Sequence, residues 1–213
     1  MSSSSASKKE KPGKIVIISS PSGGGKTSIC KALLSGPRLK QGWKFSVSYT
    51  TRKKRDSEKN GREYFFVTER DFDKKAAENF FAEHFKVHLY KYGTPRKPLD
   101  AVVKKGGVII LDVDVQGAEA IRSEYPDAIS VFVLPPSIKE LRKRLRRRGT
   151  ETKEQLQVRF ENAKKEMREF VKFPYTVVNK DLQRAVDEVL AVIRAHSCRT
   201  ENIKKEQIEK IVG

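Results

Sequence analysis

The chain has 213 residues, 37% of them hydrophobic and 34% charged, and its 45 lysines and arginines against 27 acids leave a formal charge of +18. That length suits one α/β domain with a substantial core and room for a small inserted subdomain, and would leave two independent domains cramped. No apolar run approaches the ~20 residues of a membrane span, which excludes insertion, and Cys30 and Cys198 can form at most one bridge, so both are expected to be reduced, as in a cytoplasmic compartment.

Residues 1–13 are Ser- and Lys-rich with no apolar segment, and read as a disordered tail rather than a secretory signal or an Arg-rich transit peptide. Residues 16–19 read as a buried strand and 26–34 as the helix after it, ended by Ser35-Gly36-Pro37. Residues 45–49 alternate like a strand, 62–67 form a β-rich aromatic run, and 69–83 carry helical spacing through Phe72, Ala76 and Phe80. This middle part looks like a small mixed β-rich insertion. The continuous apolar runs at 108–113 and 129–134 are those of parallel strands covered on both faces. Ser137 and Glu140 predict a capping box for a helix running to Arg148 and stopping at Gly149. Thr152 and Gln155 open the next helix, predicted to reach about Phe173 before Pro174; residues 176–178 supply a last short strand. Leu182, Ala185, Val186, Val189, Leu190 and Ile193 make the apolar face of a C-terminal helix, and the segment beyond Arg199 also has helical character.

Chemistry enters at Ser20-Pro21-Ser22-Gly23-Gly24-Gly25-Lys26-Thr27, placed between the first strand and the first helix. Three glycines let the backbone bend until several N–H groups converge on one anion, and the helix N-terminus adds its partial positive charge. Lys26 offers a point charge to the β- and γ-phosphates of a nucleotide, and Thr27 a hydroxyl to the magnesium that travels with them. Ser20 stands where the full phosphate-loop consensus has glycine, while Gly23, Gly25, Lys26 and Thr27 keep it. The charge of +18 suits either nucleic acid or a site holding several phosphates at once. Its clusters at Lys53, Lys54 and Arg55 and at residues 142–148 lie beside nucleotide motifs, without the aromatics interleaved along a basic stripe that single strands would ask for. His84, His88 and His196 have no metal-ligand spacing.

Further motifs name a second substrate. The segment from Phe45 to Arg52, then Arg55 and Gly61-Arg62-Glu63-Tyr64, resembles the guanylate kinases, and Tyr92-Gly93-Thr94, the run from Ile110 to Gly117, Leu134-Pro135-Pro136-Ser137 and Arg148-Gly149-Thr150 follow in the order and spacing of that family over roughly residues 14 to 195. The resemblance implies an α/β fold: a P-loop NTPase-type parallel sheet flanked by helices, with a small mixed β-rich GMP-binding insertion and a helical lid. It divides the chain into a tail (1–13), core segments at 14–44, 101–136 and 174–198, a GMP-binding subdomain at 45–100, a lid with flanking helices at 137–173, and a C-terminal extension at 199–213.

The implied reaction is magnesium-dependent transfer of the γ-phosphoryl of ATP to GMP, and to dGMP, by a cytoplasmic monomer or homodimer with no nucleic-acid or membrane partner. Ser22, Gly23, Gly24, Gly25, Lys26, Thr27 and Ser28 would bind ATP, with Thr27 on the metal. Asp112 is a candidate for orienting metal-bound water or for a structural hydrogen bond. Arg52 and Arg55 lie three apart on a hydroxyl-rich turn, so two guanidinium forks can converge on one phosphate, helped by Tyr64 and Tyr92. In the family these positions hold the α-phosphate of GMP. Guanine presents N1–H and an amine together, and Glu83 and Asp114 look like their acceptors, with Ser48 and Thr94 adding hydroxyls. Arg144, Arg148 and Arg159 look like the lid arginines, completing with Lys26 and Arg52 the expected catalytic set. Three departures stand out: Lys54 where the family usually has proline, His84 where it has tryptophan, and Leu89-Tyr90 where Gly-Asn is common. They leave the named ligands in place and lead to an expectation of a changed Michaelis constant for GMP. Rival readings are a peptide-binding scaffold domain, a nucleic-acid binder, and a kinase of the same fold with another acceptor such as a phosphorylated sugar.

Overall fold

The computed structural model describes residues 13–35, 42–87, 89–147, 152–203 and 205–213. The predicted tail, Arg148 and the Gly149-Thr150 pair lie outside them, apart from Gly13. The chain divides into two compact units, one of residues 1–15 and 36–110, the other of 16–35 and 111–213.

In the first unit, β2 (Trp43–Phe45) runs parallel to β7 (Val108–Asp112) with Trp43 opposite Val108 and Phe45 opposite Ile110. Helix α3 (Arg96–Lys105) buries Leu99 and Val102. The rest is a four-stranded sheet of order β4-β3-β6-β5, made of β3 (Tyr49–Thr50), β4 (Phe65–Phe66), β5 (Phe81–Val87) and β6 (Tyr90–Pro95). The predicted strand at 45–49 is therefore two strands in two sheets: its ends pair with different partners, and the Ser46 N–H follows β2 onto the Ile110 carbonyl at 2.9 Å. The aromatic run at 62–67 contributes only two strand residues, because Gly61, at φ 77°, turns the chain and closes on the Tyr64 carbonyl at 2.9 Å. Helix α2 (Glu69–Ala77), capped by Thr68, also stops short of the predicted 83. Asn79 adopts φ 52°, a left-handed conformation that asparagine tolerates, and Phe81 already begins β5. The unit is held by rings: Phe72 stacks on Phe81 at 4.6 Å, and Tyr49 stands 4.6 Å from Phe65 and 5.6 Å from Phe81. Gly93 lies beneath them, where a Cβ would meet the Phe81 ring at 2.8 Å.

In the second unit, β1 (Lys14–Ser19), β8 (Ile129–Leu134) and β9 (Tyr175–Val178) are parallel, with Val16 opposite Ile129 and Val131 opposite Tyr175. Strands β1 and β7 each begin in the first unit and end in the second. Continuous burial of Val16, Ile17 and Ile18 and of Ile129, Val131 and Val133 matches strands covered on both faces. Helices α1 (Lys26–Leu33), α4 (Val115–Glu124) and α7 (Leu182–Ser197) belong to this unit, as do α5 (Ile138–Arg146), α6 (Lys153–Met167) and α8 (Lys205–Val212). Thr152 and Gln155 form the predicted capping box. Ser137 caps α5 through the Glu140 N–H at 3.1 Å, but the Glu140 carboxylate does not return the bond and takes Arg144 Nε at 3.0 Å instead. The helix predicted to reach 173 ends at Met167 and tightens into a 3-10 segment, Arg168–Lys172. Among the described residues no helix is long and apolar enough to cross a membrane.

Candidate active site

The second unit carries the phosphate loop at the carboxyl end of β1, the usual ligand position of a parallel sheet. Gly25 precedes α1 at φ 100°, and a Cβ there would lie 2.2 Å from Asn179 Nδ2, so both conformation and close packing demand glycine. The loop is braced from behind. Asn179 Nδ2 donates to the Gly24 carbonyl at 3.1 Å, and Arg144 donates to that carbonyl at 3.3 Å, to the Asn179 carbonyl at 3.0 Å and to Glu140 at 3.0 Å. Arg144, expected among the lid arginines, is thus a strut of the loop in this structure. Asn179, buried at the end of β9, was not foreseen, since a single asparagine after a short strand carries no local signal.

Lys26 Nζ lies 2.8 Å from Asp112 and donates to the Val113 carbonyl at 3.4 Å, while Thr27 Oγ1 donates to Asp112 Oδ2 at 3.1 Å. A hydroxyl beside a carboxylate is a hard oxygen pair of the kind magnesium accepts. Among the described residues no three acidic, histidine or cysteine side chains gather as a metal site, so most of the ion's ligands would have to come from phosphate and water. Ser22 is gripped by α6: its N–H donates to Glu166 at 2.8 Å and its hydroxyl accepts from Arg159 Nε at 2.9 Å. Below the loop, burial first and then the Asp112 charge push the Cys30 thiol well above its ordinary pKa, which makes it an inert core residue.

The first unit carries the predicted anion clamp and base pocket. Arg52 lies under Tyr64, its guanidinium carbon 5.5 Å from the ring centroid, and Tyr64 meets Tyr92 edge-on at 5.9 Å. A residue absent from the sequence reading ties this together: Glu58, buried, accepts from Arg52 Nη1 at 3.0 Å and Nη2 at 2.8 Å, and from the Arg55 N–H at 2.9 Å. Burial works to depress the Arg52 guanidinium, but the hydrogen bond and charge of Glu58, with the Tyr92 phenol, outweigh it and raise its pKa. Burial likewise works to raise Glu58, and its bonds to Arg52 and the Arg55 N–H, with the two guanidinium charges, hold its carboxyl below the usual carboxylate range. The signal was an acid three residues after Arg55, in a cationic run that also holds Asp56.

Glu83 faces Thr94 across the β5-β6 pair, both buried. Thr94 Oγ1 donates to Glu83 Oε1 and lies 3.5 Å from Ser48 Oγ. These three predicted base contacts come together. Asp114 lies in the second unit, where its Oδ1 caps α4 by accepting from the Gly117 N–H at 2.8 Å.

A family profile described as guanylate kinase matches residues 12–196. The chain belongs to the guanylate kinase family. It is 42% identical over 192 residues to the guanylate kinase of Clostridium tetani, covering 90% of each chain, and 39% identical over 195 residues to that of Caldanaerobacter subterraneus, covering 92% and 93%. The crystal structure of guanylate kinase from Anaplasma phagocytophilum superposes with a TM-score of 0.74 at 30% identity over 89% of each chain. The departures from the guanylate kinase pattern are accommodated locally. Lys54, in place of proline, donates to the Glu58 carbonyl at 3.2 Å. Tyr90 and Lys91 extend the hairpin, Lys91 pairs with Asp73 at 2.6 Å, and Tyr92 keeps its register opposite Phe85 and Thr50. His84 stands opposite Gly93, its ring 6.2 Å from Phe72.

Proposed function

We propose that the chain is an ATP:GMP phosphotransferase, moving the γ-phosphoryl of ATP to GMP, and to dGMP, with ADP and GDP as products. The observation that carries this reading is the buried acidic pocket of the first unit, where Thr94 donates to Glu83 and Ser48 stands beside Thr94, a carboxylate and two hydroxyls of the kind that suit a base edge presenting two parallel donors. Guanine N1–H and its exocyclic amine are such a pair. Adenine offers a bare N1 acceptor there, which an ionised carboxylate repels, and a site built to satisfy buried donors discriminates by about 10⁴ or more. Within the same unit Arg52, Arg55, Tyr64 and Tyr92 supply the cations and phenols for a monophosphate, which is residues 45–100 acting as the acceptor-binding subdomain.

On the donor side Ser22 to Ser28 bind the triphosphate, their N–H groups and Lys26 taking its oxygens. An oxygen of the GMP phosphate attacks the γ-phosphorus as the bond to the β-bridging oxygen breaks; Lys26 neutralises charge arriving on the departing diphosphate, and Arg52 and Arg55 offset repulsion between the two anions. When bound, magnesium supplies electrostatic stabilisation of the phosphate oxygens, and Thr27 and Asp112 are the residues that would hold it or its water. Arg159 sits on Ser22 Oγ, ready to turn to a γ-phosphate. Arg144 acts by holding the loop, and Arg148 completes the lid set. The enzyme works in the cytoplasm as a monomer or homodimer.

The test is a coupled assay of ADP release with ATP, magnesium and each of GMP, AMP, UMP and CMP. Turnover with GMP alone is expected. Equal turnover with AMP would reject the guanine pocket, and no turnover with any acceptor would reject the kinase reading.

A further inference from the structure

The loop from Arg52 to Glu58 is built around one carboxylate. Glu58 accepts both Nη donors of Arg52 and the Arg55 N–H; its own N–H donates to the Arg55 carbonyl at 3.0 Å, and its carbonyl accepts from Lys54 Nζ at 3.2 Å. A guanidinium has two edges capable of a paired grip, the Nη1/Nη2 end and the Nε/Nη2 side. Glu58 takes the end, and Nη1 spends its other hydrogen on the Lys53 carbonyl at 2.8 Å. Those bonds leave the Nε–H and the second Nη2 hydrogen, which together form the side edge, where the Tyr92 phenol also meets the guanidinium. The Arg55 guanidinium is more than half exposed, with its Nη1 3.9 Å from Glu58, so its donors are turned outward while its backbone is pinned.

We propose that Glu58 is the positioning residue of the acceptor-phosphate clamp: it fixes Arg52 by the end edge so that the side edge meets the phosphate, and it holds the Arg55 backbone beside it. The inference rests on the acceptor reading of this unit given above. Its physical basis is twofold. Two guanidiniums and Lys54 drawn into one short loop repel one another when no phosphate is present, and the shared buried carboxylate offsets that repulsion before the ligand arrives. An arginine fixed at one edge also loses little side-chain freedom when the other edge binds, which raises affinity without a new contact. The opposite role is equally definite: a carboxylate on Arg52 could act as a rival to phosphate, and its removal would then tighten binding.

The experiment is titration calorimetry of GMP, with guanosine measured by displacement of GMP, on the full chain and its Glu58→Gln and Glu58→Asp variants, alongside thermal melts. Wild type is expected to bind GMP more tightly than guanosine. Glu58→Gln keeps the size but presents one amide oxygen and a donor to Arg52, so it should lose at least ~10-fold in GMP affinity, about 1.4 kcal/mol, with guanosine within about twofold of wild type. Glu58→Asp keeps the charge on a shorter stem and should recover part of the loss. Unchanged or tighter GMP binding by Glu58→Gln overturns the proposal, as does equal loss of GMP and guanosine, which is what a purely structural role gives. If Glu58→Gln does not fold, the same comparison on Glu58→Asp decides it. A wild type that binds GMP no better than guanosine removes the clamp itself, and the proposed acceptor with it.

Discussion

Replacing Glu83 by glutamine changes one buried oxygen into an NH₂ group at almost constant volume, which isolates the pocket's charge from its packing. In the wild type Thr94 Oγ1 donates to Oε1, and the hydroxyl of Ser48 lies 3.5 Å beyond it. The glutamine amide can satisfy this wall in one orientation, with its nitrogen donating to Thr94 Oγ1 and the threonine hydroxyl turning toward Ser48. Its oxygen then faces the ligand, where it can accept one guanine donor as a neutral group. The second donor goes unpaired, and the first bond loses its ionic character. Charge-assisted bonds contribute about 1.5–3 kcal/mol and neutral ones about 1, so the expected loss is about 2–3 kcal/mol, or roughly 30- to 150-fold in kcat/KM for GMP. The Michaelis constant for ATP should stay within about twofold, and the melting temperature should not fall, since the substitution removes a buried charge. IMP lacks the exocyclic amine, so the GMP-to-IMP preference should shrink in the variant. A loss shared equally by GMP and ATP, or an unchanged preference for GMP over IMP, would refute the reasoning.

Three further outcomes follow from other parts of the molecule. Lys26→Ala should lower turnover by at least ~100-fold while the circular dichroism spectrum is unchanged, because electrostatic stabilisation of a transferring phosphoryl group is a large share of the rate; near-normal turnover would remove the loop from the mechanism. Arg144→Ala deletes the struts to the Gly24 and Asn179 carbonyls and should raise the Michaelis constant for ATP with that for GMP unaffected, since both bonds lie behind the phosphate loop; a rise for GMP alone would contradict it. Glu58 has its folded pKa below the unfolded value, so its pair with Arg52 contributes stability that is full above the ordinary carboxylate range and is lost as pH falls through the folded pKa. Melts of wild type and Glu58→Gln should therefore differ most near neutral pH and converge on acidification through that range, whereas a constant gap would show that the carboxylate charge is not what stabilises the loop.

How much of this was legible in the sequence depended on how far apart the partners stand along the chain. The phosphate loop is one run of consecutive residues between a strand and a helix, so its shape follows from local rules, and so does the capping box of Thr152 and Gln155. The strand pattern at 45–49 misled because period-two alternation records which side chains are half-covered and not which neighbour covers them; here two neighbours in two sheets do so. The helical spacing at 69–83 misled in a similar way, since Phe81 is buried and Phe80 half-buried in the same aromatic cluster as Phe72 although they have left the helix. The supports of the site were illegible for a simpler reason. Glu166 reaches Ser22 across 144 residues of sequence, and Asn179 reaches Gly24 across 155. No window of sequence contains both members of such a pair.

The two unforeseen carboxylates have a common logic. Each binds a group that phosphate chemistry also needs, Glu58 on the Arg52 guanidinium and Glu166 on the Ser22 N–H. A site for highly charged anions must gather donors that repel one another or stand unsatisfied when the anion is gone, and a buried donor without a partner costs about 1–3 kcal/mol. Acids placed beside such donors relieve that cost, which is the physical reason a chain with a charge of +18 places two of its acids at these positions. It also makes them hard to read from sequence: cations and glycines are what mark a phosphate site, and the acids that make those cations tolerable carry the opposite sign.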